Sequence, residues 1–202
     1  MTAAAETVTE EPPRCPWAGS DAAMQAYHDT EWGFPVADDR RLFEKLCLES
    51  FQSGLSWRTI LHKRDNFRAA FADFDISKVA AFDDDAVERL LANAGIIRNR
   101  AKIEAAINNA RQAQELISRE GSLAGFLWTY EPSMAELGAP QELTTVPSAA
   151  ALATVLKKQG WKFLGPTAVF AFMQSMGLVN DHTYDCHIRQ RVAKALAHFA
   201  RP

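Results

Sequence analysis

Five histidines and three cysteines are spread over 202 residues, yet "HTYDCH" gathers His182, Cys186 and His187 within six positions. Near the other end of the chain, "RCPW" and "AYHDTEW" supply Cys15 and His28. Cys-x12-His early and His-x3-Cys late make a Cys2His2 donor set. Thiolate and imidazole suit zinc, and four protein ligands close the tetrahedron with no position left for water. Such a site holds structure, tying the two ends together and closing a long loop. The spacing is not that of a zinc finger. A second reading therefore stands beside it, in which His28 and His182 are hydrogen-bonded core histidines and the cysteines are small hydrophobes. His187 is a competing donor, although on a helix it would point away from Cys186. Cys47, inside "LFEKLCLES", reads as buried packing.

One carboxylate stands out. At about 100° per residue, Glu49 falls on the apolar helix face of Leu42 and Leu46, where an acid is costly unless it has partners. Glu44, by contrast, reads as a solvated helix glutamate. Four large rings, Trp17, Tyr27, Trp32 and Trp57, occur in the same part of the chain, and each alone would ordinarily be core. A third pattern is "LKKQGWKFLGPTAVFAF". A helix bearing two lysines ends at Gly160, and Gly165-Pro166 then opens an apolar helix. Such a hairpin lets backbone N–H groups and a helix N-terminus face a phosphate, and an ordinary helix–helix connection has the same look.

The elements that must position these groups read as helices throughout. Residues 38–55 begin at an Asp-Asp cap and end near Gly54. Residues 76–82 and 83–95 read as two short capped helices, the second stopped by Gly95. Residues 99–121 form a long helix closed by Gly121, and 122–130 a short one. Residues 131–148 are a loop, and 148–160 and 166–177 are helices separated by "WKFLG". No alternating apolar–polar run is long enough for a strand. The expectation is an all-α fold of about eight helices. Residues 1–13 form a disordered tail, 14–190 one helical domain, and 191–202 a C-terminal tail.

Bulk properties narrow the function classes. A composition 48% hydrophobic and 23% charged is ordinary for a globular protein. No apolar run is long enough to cross a bilayer, and "MTAAAETVTEEPP" lacks the basic start and apolar centre of a secretory signal, which points to the cytoplasm. Three irregularly placed cysteines make no disulfide framework. A net charge of −3 does not advertise a nucleic-acid binder. Its distribution still allows one, because "HKRDNFR", "IIRNRAK", "LKKQGWK" and "HIRQRVAK" are basic patches in an otherwise acidic chain.

The hairpin followed by "LVNDH" resembles the helix-hairpin-helix DNA glycosylases, with the hairpin at about 150–178. Asn180 stands where most of that superfamily carries a catalytic aspartate, a departure found in the 3-methyladenine DNA glycosylase I branch. "RCPWAGSD", "AYHDTEWGFPV", "LFEKLCLESFQSGLSW", "AGIIRNRAKI", "FLGPT" and "GLVNDHTYDCH" resemble that branch in its order, from Arg14 to His187. The resemblance implies one structural Zn2+ on Cys15, His28, His182 and Cys186, and no organic cofactor. It also implies Tyr27 and Trp57 as stacking partners of an extruded base, with Trp17 and Trp32 lining the pocket. Glu49 becomes the catalytic and base-binding acid. DNA contacts fall on Leu55 as an apolar plug, on Gln52 and Gly54, and on Gly165, Pro166 and Thr167. Met24 departs from the family, which often has an aromatic three residues before the Tyr-His pair.

The implied activity is hydrolysis of the N-glycosidic bond of 3-methyladenine in double-stranded alkylated DNA after base flipping. The free base is released and the abasic site is left uncut, by a monofunctional enzyme without lyase chemistry that acts as a monomer away from membranes. N3-methylation makes the base in DNA cationic, which favours ring faces and a carboxylate. Two other classes remain: a non-catalytic helical module that senses alkylated DNA, and a metallohydrolase whose zinc keeps an open position.

Overall fold

The computed structural model describes residues 12–202. Most of the tail expected at 1–13 therefore lies outside the described residues. Among them the chain forms α1 (Ala22–Thr30), α2 (Asp39–Gln52), α3 (Trp57–His62) and α4 (Arg64–Ala70). Next come α5 (Ile76–Ala80), α6 (Asp84–Ala92), α7 (Arg100–Glu120) and α8 (Leu123–Trp128). The last are α9 (Pro147–Lys158), α10 (Pro166–Ser175) and α11 (Arg189–His198). Short 3-10 turns add to these, and no strand forms among the described residues. The all-α expectation holds.

α2 is the central element. The Asp38 carboxylate accepts from Arg41 N and sets its start. Leu42, Phe43, Leu46, Cys47 and Phe51 are fully buried, and the helix packs on α7, α8 and α10. Burial on so many sides explains why α2 lacks a polar stripe in its second half. α7 is amphipathic by contrast, with Ile103, Ala106, Ala110 and Leu116 facing the core. Asn99 caps its start, and Gly121 at φ 92° closes its end.

Four helices exceed the expected set. α1 and α3 are short and turn their large rings toward a cavity, so no regular apolar stripe announces them, although Asp21 and Ser56 cap them. α4 follows α3 at once, with Lys63 ending one helix and starting the next. α11 lies in the stretch read as a C-terminal tail. It is not a free extension, because Val192 is fully buried, and its neighbours are the ligand-type residues of the preceding turn.

Two apolar clusters result. The larger spans α2 to α10, and the smaller joins Cys15, Met24, Tyr27, Trp32, Leu61, Cys186, Ile188 and Val192, bringing the two ends of the chain together. One backbone crossing there admits only glycine. Gly177 has φ 84°, and a Cβ on it would lie 2.5 Å from Pro35 Cα.

Candidate functional site: a buried donor cluster and a ring-walled cavity

Cys15, His28, His182 and Cys186 converge, with ligand atoms all within 4.8 Å of one another and all four residues buried. Cys15 Sγ lies 3.5 Å from His182 Nδ1; Cys186 Sγ lies 3.4 Å from His182 Nδ1 and 3.5 Å from His28 Nε2. A zinc tetrahedron with bonds of about 2.3 Å to sulfur and about 2.05 Å to nitrogen has S···N edges of about 3.6 Å. The donor set therefore fits a tetrahedral ion.

The surrounding groups orient the ligands as a metal site requires. His28 Nδ1 donates to Asp29 Oδ1 at 2.7 Å, and Arg14 grips the same carboxylate at 2.9 Å. His182 Nε2 donates to Trp32 O at 3.0 Å, which leaves Nδ1 facing the cluster. Thr183 N points at Cys15 Sγ from 3.4 Å. Burial pushes the Cys15 thiol up to about 11 and the His182 imidazole down to about 4. The histidines are thus held in the neutral, metal-binding form, and a cation supplies what the thiolates lack. His187 stays apart, with Nδ1 donating to Pro13 O at 2.8 Å. Cys47 is fully buried in the main core.

Beside the cluster opens a cavity of about 870 Å³, within the range of small-molecule sites. Trp17, Tyr27, Trp32 and Trp57 all line it, with Glu49 and Gln52 from α2 and Met24 from α1. Trp17 meets Trp32 edge-on at 5.0 Å, and Tyr27 tilts against Trp57 at 5.1 Å and 44°. Glu49 is 5% exposed, as its apolar helix face predicts. Its partner is one the sequence reading missed: Lys45 Nζ lies 2.8 Å from Glu49 Oε1. Lys45 Nζ also donates to Tyr27 Oη at 2.9 Å and sits 3.3 Å from the Trp57 ring centroid. Four residues separate Lys45 from Glu49, the helical spacing that puts both on one face, and that was the available signal.

Other lining residues were also missed. Asp181, Gln174, Gln141 and Leu143 form a wall. Asp181 Oδ1 accepts from Gln141 N at 2.9 Å and Oδ2 from Gln174 Nε2 at 2.6 Å. Burial pushes the Asp181 carboxyl up. Asn180 is not among the lining residues, and its Nδ2 donates to Arg189 O at 3.1 Å. Glu44 is less open than expected, because Arg68 Nε binds it at 2.8 Å and its side chain is only 13% exposed.

A second cavity of about 490 Å³ adjoins the first through Glu49, Gln52 and Ala171. Gln52, Gly54, Leu55, Gly165, Pro166 and Thr167 all line it. Leu55 is 40% exposed at the end of α2. α9 and α10 pack together around the connection that carries Gly165.

A helical frame holding a ring-walled cavity against a Cys2His2 cluster places the chain in a known structural class. It superposes on the crystal structure of a 3-methyladenine DNA glycosylase I with a TM-score of 0.82 at 46% identity, covering 87% of this chain and 98% of that one. It matches the Staphylococcus aureus 3-methyladenine DNA glycosylase I, solved for its recognition of 3-methyladenine, with a TM-score of 0.82 at 36% identity over 87% and 96% of the two chains. DNA-3-methyladenine glycosylase 1 of Escherichia coli K12 is 46% identical over 177 residues, which is 86% of this chain and 95% of that protein. Residues 17–190 match the family described as methyladenine glycosylase, and the chain belongs to that family.

Proposed function

We propose that this protein is a DNA-3-methyladenine glycosylase that hydrolyses the N-glycosidic bond of 3-methyladenine in alkylated double-stranded DNA. The observation that carries the reading is the buried Glu49 at the base of a cavity walled by Trp17, Tyr27, Trp32 and Trp57, in a chain of this family. The damaged nucleotide leaves the stack and enters the cavity. A cationic base gains about 0.5–2 kcal/mol from each suitable ring face, and neutral adenine does not. The Glu49 carboxylate accepts hydrogen bonds from the amino edge and opposes the positive charge. The bond from C1′ to N9 breaks with its electron pair moving to the base. Water adds its oxygen to C1′ and gives up a proton, leaving an abasic site. A base already cationic is a good leaving group, which is why Asn180 can stand in place of an acid.

Leu55, at the mouth of the second cavity, would fill the gap in the stack, with Gln52 and Gly54 beside it. Gly165, Pro166 and Thr167 would meet the phosphates at the start of α10. Zn2+ is the ion we assign to Cys15, His28, His182 and Cys186, with a structural role, since four protein ligands leave no site for a reacting water. No helix among the described residues is long and apolar enough to cross a membrane. We read the enzyme as a cytoplasmic monomer.

The test is chromatography of bases released from methylated duplex. Free 3-methyladenine should appear, with the strand left uncleaved until alkali is added. Tight binding to alkylated duplex with no base released would instead identify a damage sensor and overturn the reading.

A further inference from the structure

The Lys45 ammonium stands where a positively charged base has to go. Its Nζ is 3.3 Å from the Trp57 ring centroid, so no base plane can lie on that face at a stacking distance of about 3.5 Å. It is also 2.8 Å from Glu49 Oε1 and makes the hydrogen bond to Tyr27 Oη. The Tyr27 and Trp57 centroids are 5.1 Å apart, and a ring held between two others needs about 7 Å, two such contacts. Ring face and carboxylate are thus both taken by one side chain of the protein, and the slot is closed by the two rings themselves.

The other acids around the cavity are engaged. Asp181 accepts from Gln141 N and Gln174 Nε2, and Asp21 on the rim is held by Arg58 and His62. Glu49 is therefore the carboxylate for which a cationic base and Lys45 compete. On its other side Lys45 borders a crevice of only about 20 Å³, whose acids Glu31 and Glu44 are already paired with Arg64 and Arg68, so an expelled amine has to leave through the cavity itself. Burial, the largest influence on Lys45, lowers its pKa, and the Glu49 carboxylate opposes that by favouring the charged amine.

We propose that Lys45 is a specificity-determining residue of the base pocket. It is a resident cation, held by Glu49, Tyr27 and Trp57, that a charged base must expel. Lys45 thereby limits how strongly the pocket prefers a charged base over a neutral one. The inference rests on the glycosylase reading above and adds to it a residue that works against the charge preference of rings and acid.

The test uses quenching of tryptophan fluorescence by two probes, the permanently cationic 3,9-dimethyladeninium and the neutral 9-methyladenine. Lys45→Gln and Lys45→Met should bind the cation at least about tenfold more tightly than the wild type, and 9-methyladenine within about threefold of it. Lys45→Arg, which keeps the charge, should show no gain for the cation. Unchanged or weaker cation binding in both neutral variants, or an equal gain for both probes, overturns the proposal. Should neither neutral variant fold, a crystal structure of the wild type with 3,9-dimethyladeninium decides. Lys45 Nζ displaced from the Trp57 face supports the proposal, and Lys45 unmoved beside a bound base overturns it. Base release from methylated duplex is measured on the same wild-type preparation. No release defeats the underlying reading, whereas normal release with no Lys45 effect defeats this inference alone.

Discussion

At the scale of single residues the proposed chemistry concentrates on Glu49. Its carboxylate is buried and charge-paired with Lys45, whose side chain is 6% exposed, so the pair is little screened by solvent. Breaking such a pair by neutralising one partner leaves the other uncompensated, a loss of up to about 3–5 kcal/mol in stability. Glu49→Gln keeps the shape and removes the charge. We expect it to lower kcat/KM for base release by about 10²-fold, the scale of losing one electrostatic contact in a water-poor site, and to lower Tm as well. Kinetics on methylated duplex beside a thermal melt checks both. Full activity in this variant would remove Glu49 from the chemistry. The residue scale is also where the sequence reading reached least far. Glu49 could be singled out because helical spacing placed it on an apolar face. Lys45 was passed over because a lysine on a helix ordinarily extends into water. Only the rings folded around it, drawn from α1 and α3, make it a pocket residue. Asp181 and Gln141 meet across a loop, and no local spacing encodes that meeting.

Among the elements, the joint between α2 and α7 positions the loop proposed to face DNA. The last carbonyls of a helix have no partners within it. At the end of α2, Lys102 of α7 supplies one, donating from Nζ to Phe51 O at 3.0 Å and to Ser53 O at 2.5 Å. Lys102 is 8% exposed, so water is a poor substitute donor. The turn it fixes carries Gly54 and Leu55. Lys102→Met should therefore cost about 1–3 kcal/mol of stability and raise KM for methylated duplex severalfold, while affinity for free 3-methyladenine stays within twofold. An equal loss of affinity for the free base would show that Lys102 acts on the pocket and not on the loop. Leu55→Ala should weaken duplex binding in the same way with Tm unchanged, since Leu55 is 40% exposed. The long helices around this joint were legible because α7 repeats its apolar residues at 3.6 spacing and α2 announces itself with Asp38. α1 and α3 were not, because each is short and turns its large side chains toward a cavity, and α11 was not, because Val192 is its only buried residue.

Across the whole molecule, the donor cluster and the base cavity form one mechanical unit. Trp17 lies edge-on to His28 at 5.2 Å and Trp32 to His182 at 4.6 Å. Trp17 then reaches Tyr27 at 6.2 Å, and Tyr27 reaches Trp57 at 5.1 Å. Rings that wall the cavity thus rest directly on rings of the ligand set. Close approach is built in at Gly33, where a Cβ would come within 3.1 Å of His182 Nε2. The four residues also join positions near both ends of the chain, so an ion held there would act as a cross-link. Closing a loop of over about 100 residues is worth about 4–5 kcal/mol, or roughly 10–15 °C in Tm for a chain of this size. Removing the ion with a chelator, or replacing His182 by Ala, should lower Tm by about that amount. Because the rings share the support, affinity for free 3-methyladenine should fall as well, although neither His28 nor His182 lines the cavity. Calorimetry before and after metal removal, with titration of the free base at a temperature where both forms are folded, separates the two effects. A lower Tm with undiminished base affinity would mean the cluster holds the ends together without shaping the pocket. An unchanged Tm would mean that hydrogen bonds and burial alone hold the four residues in place.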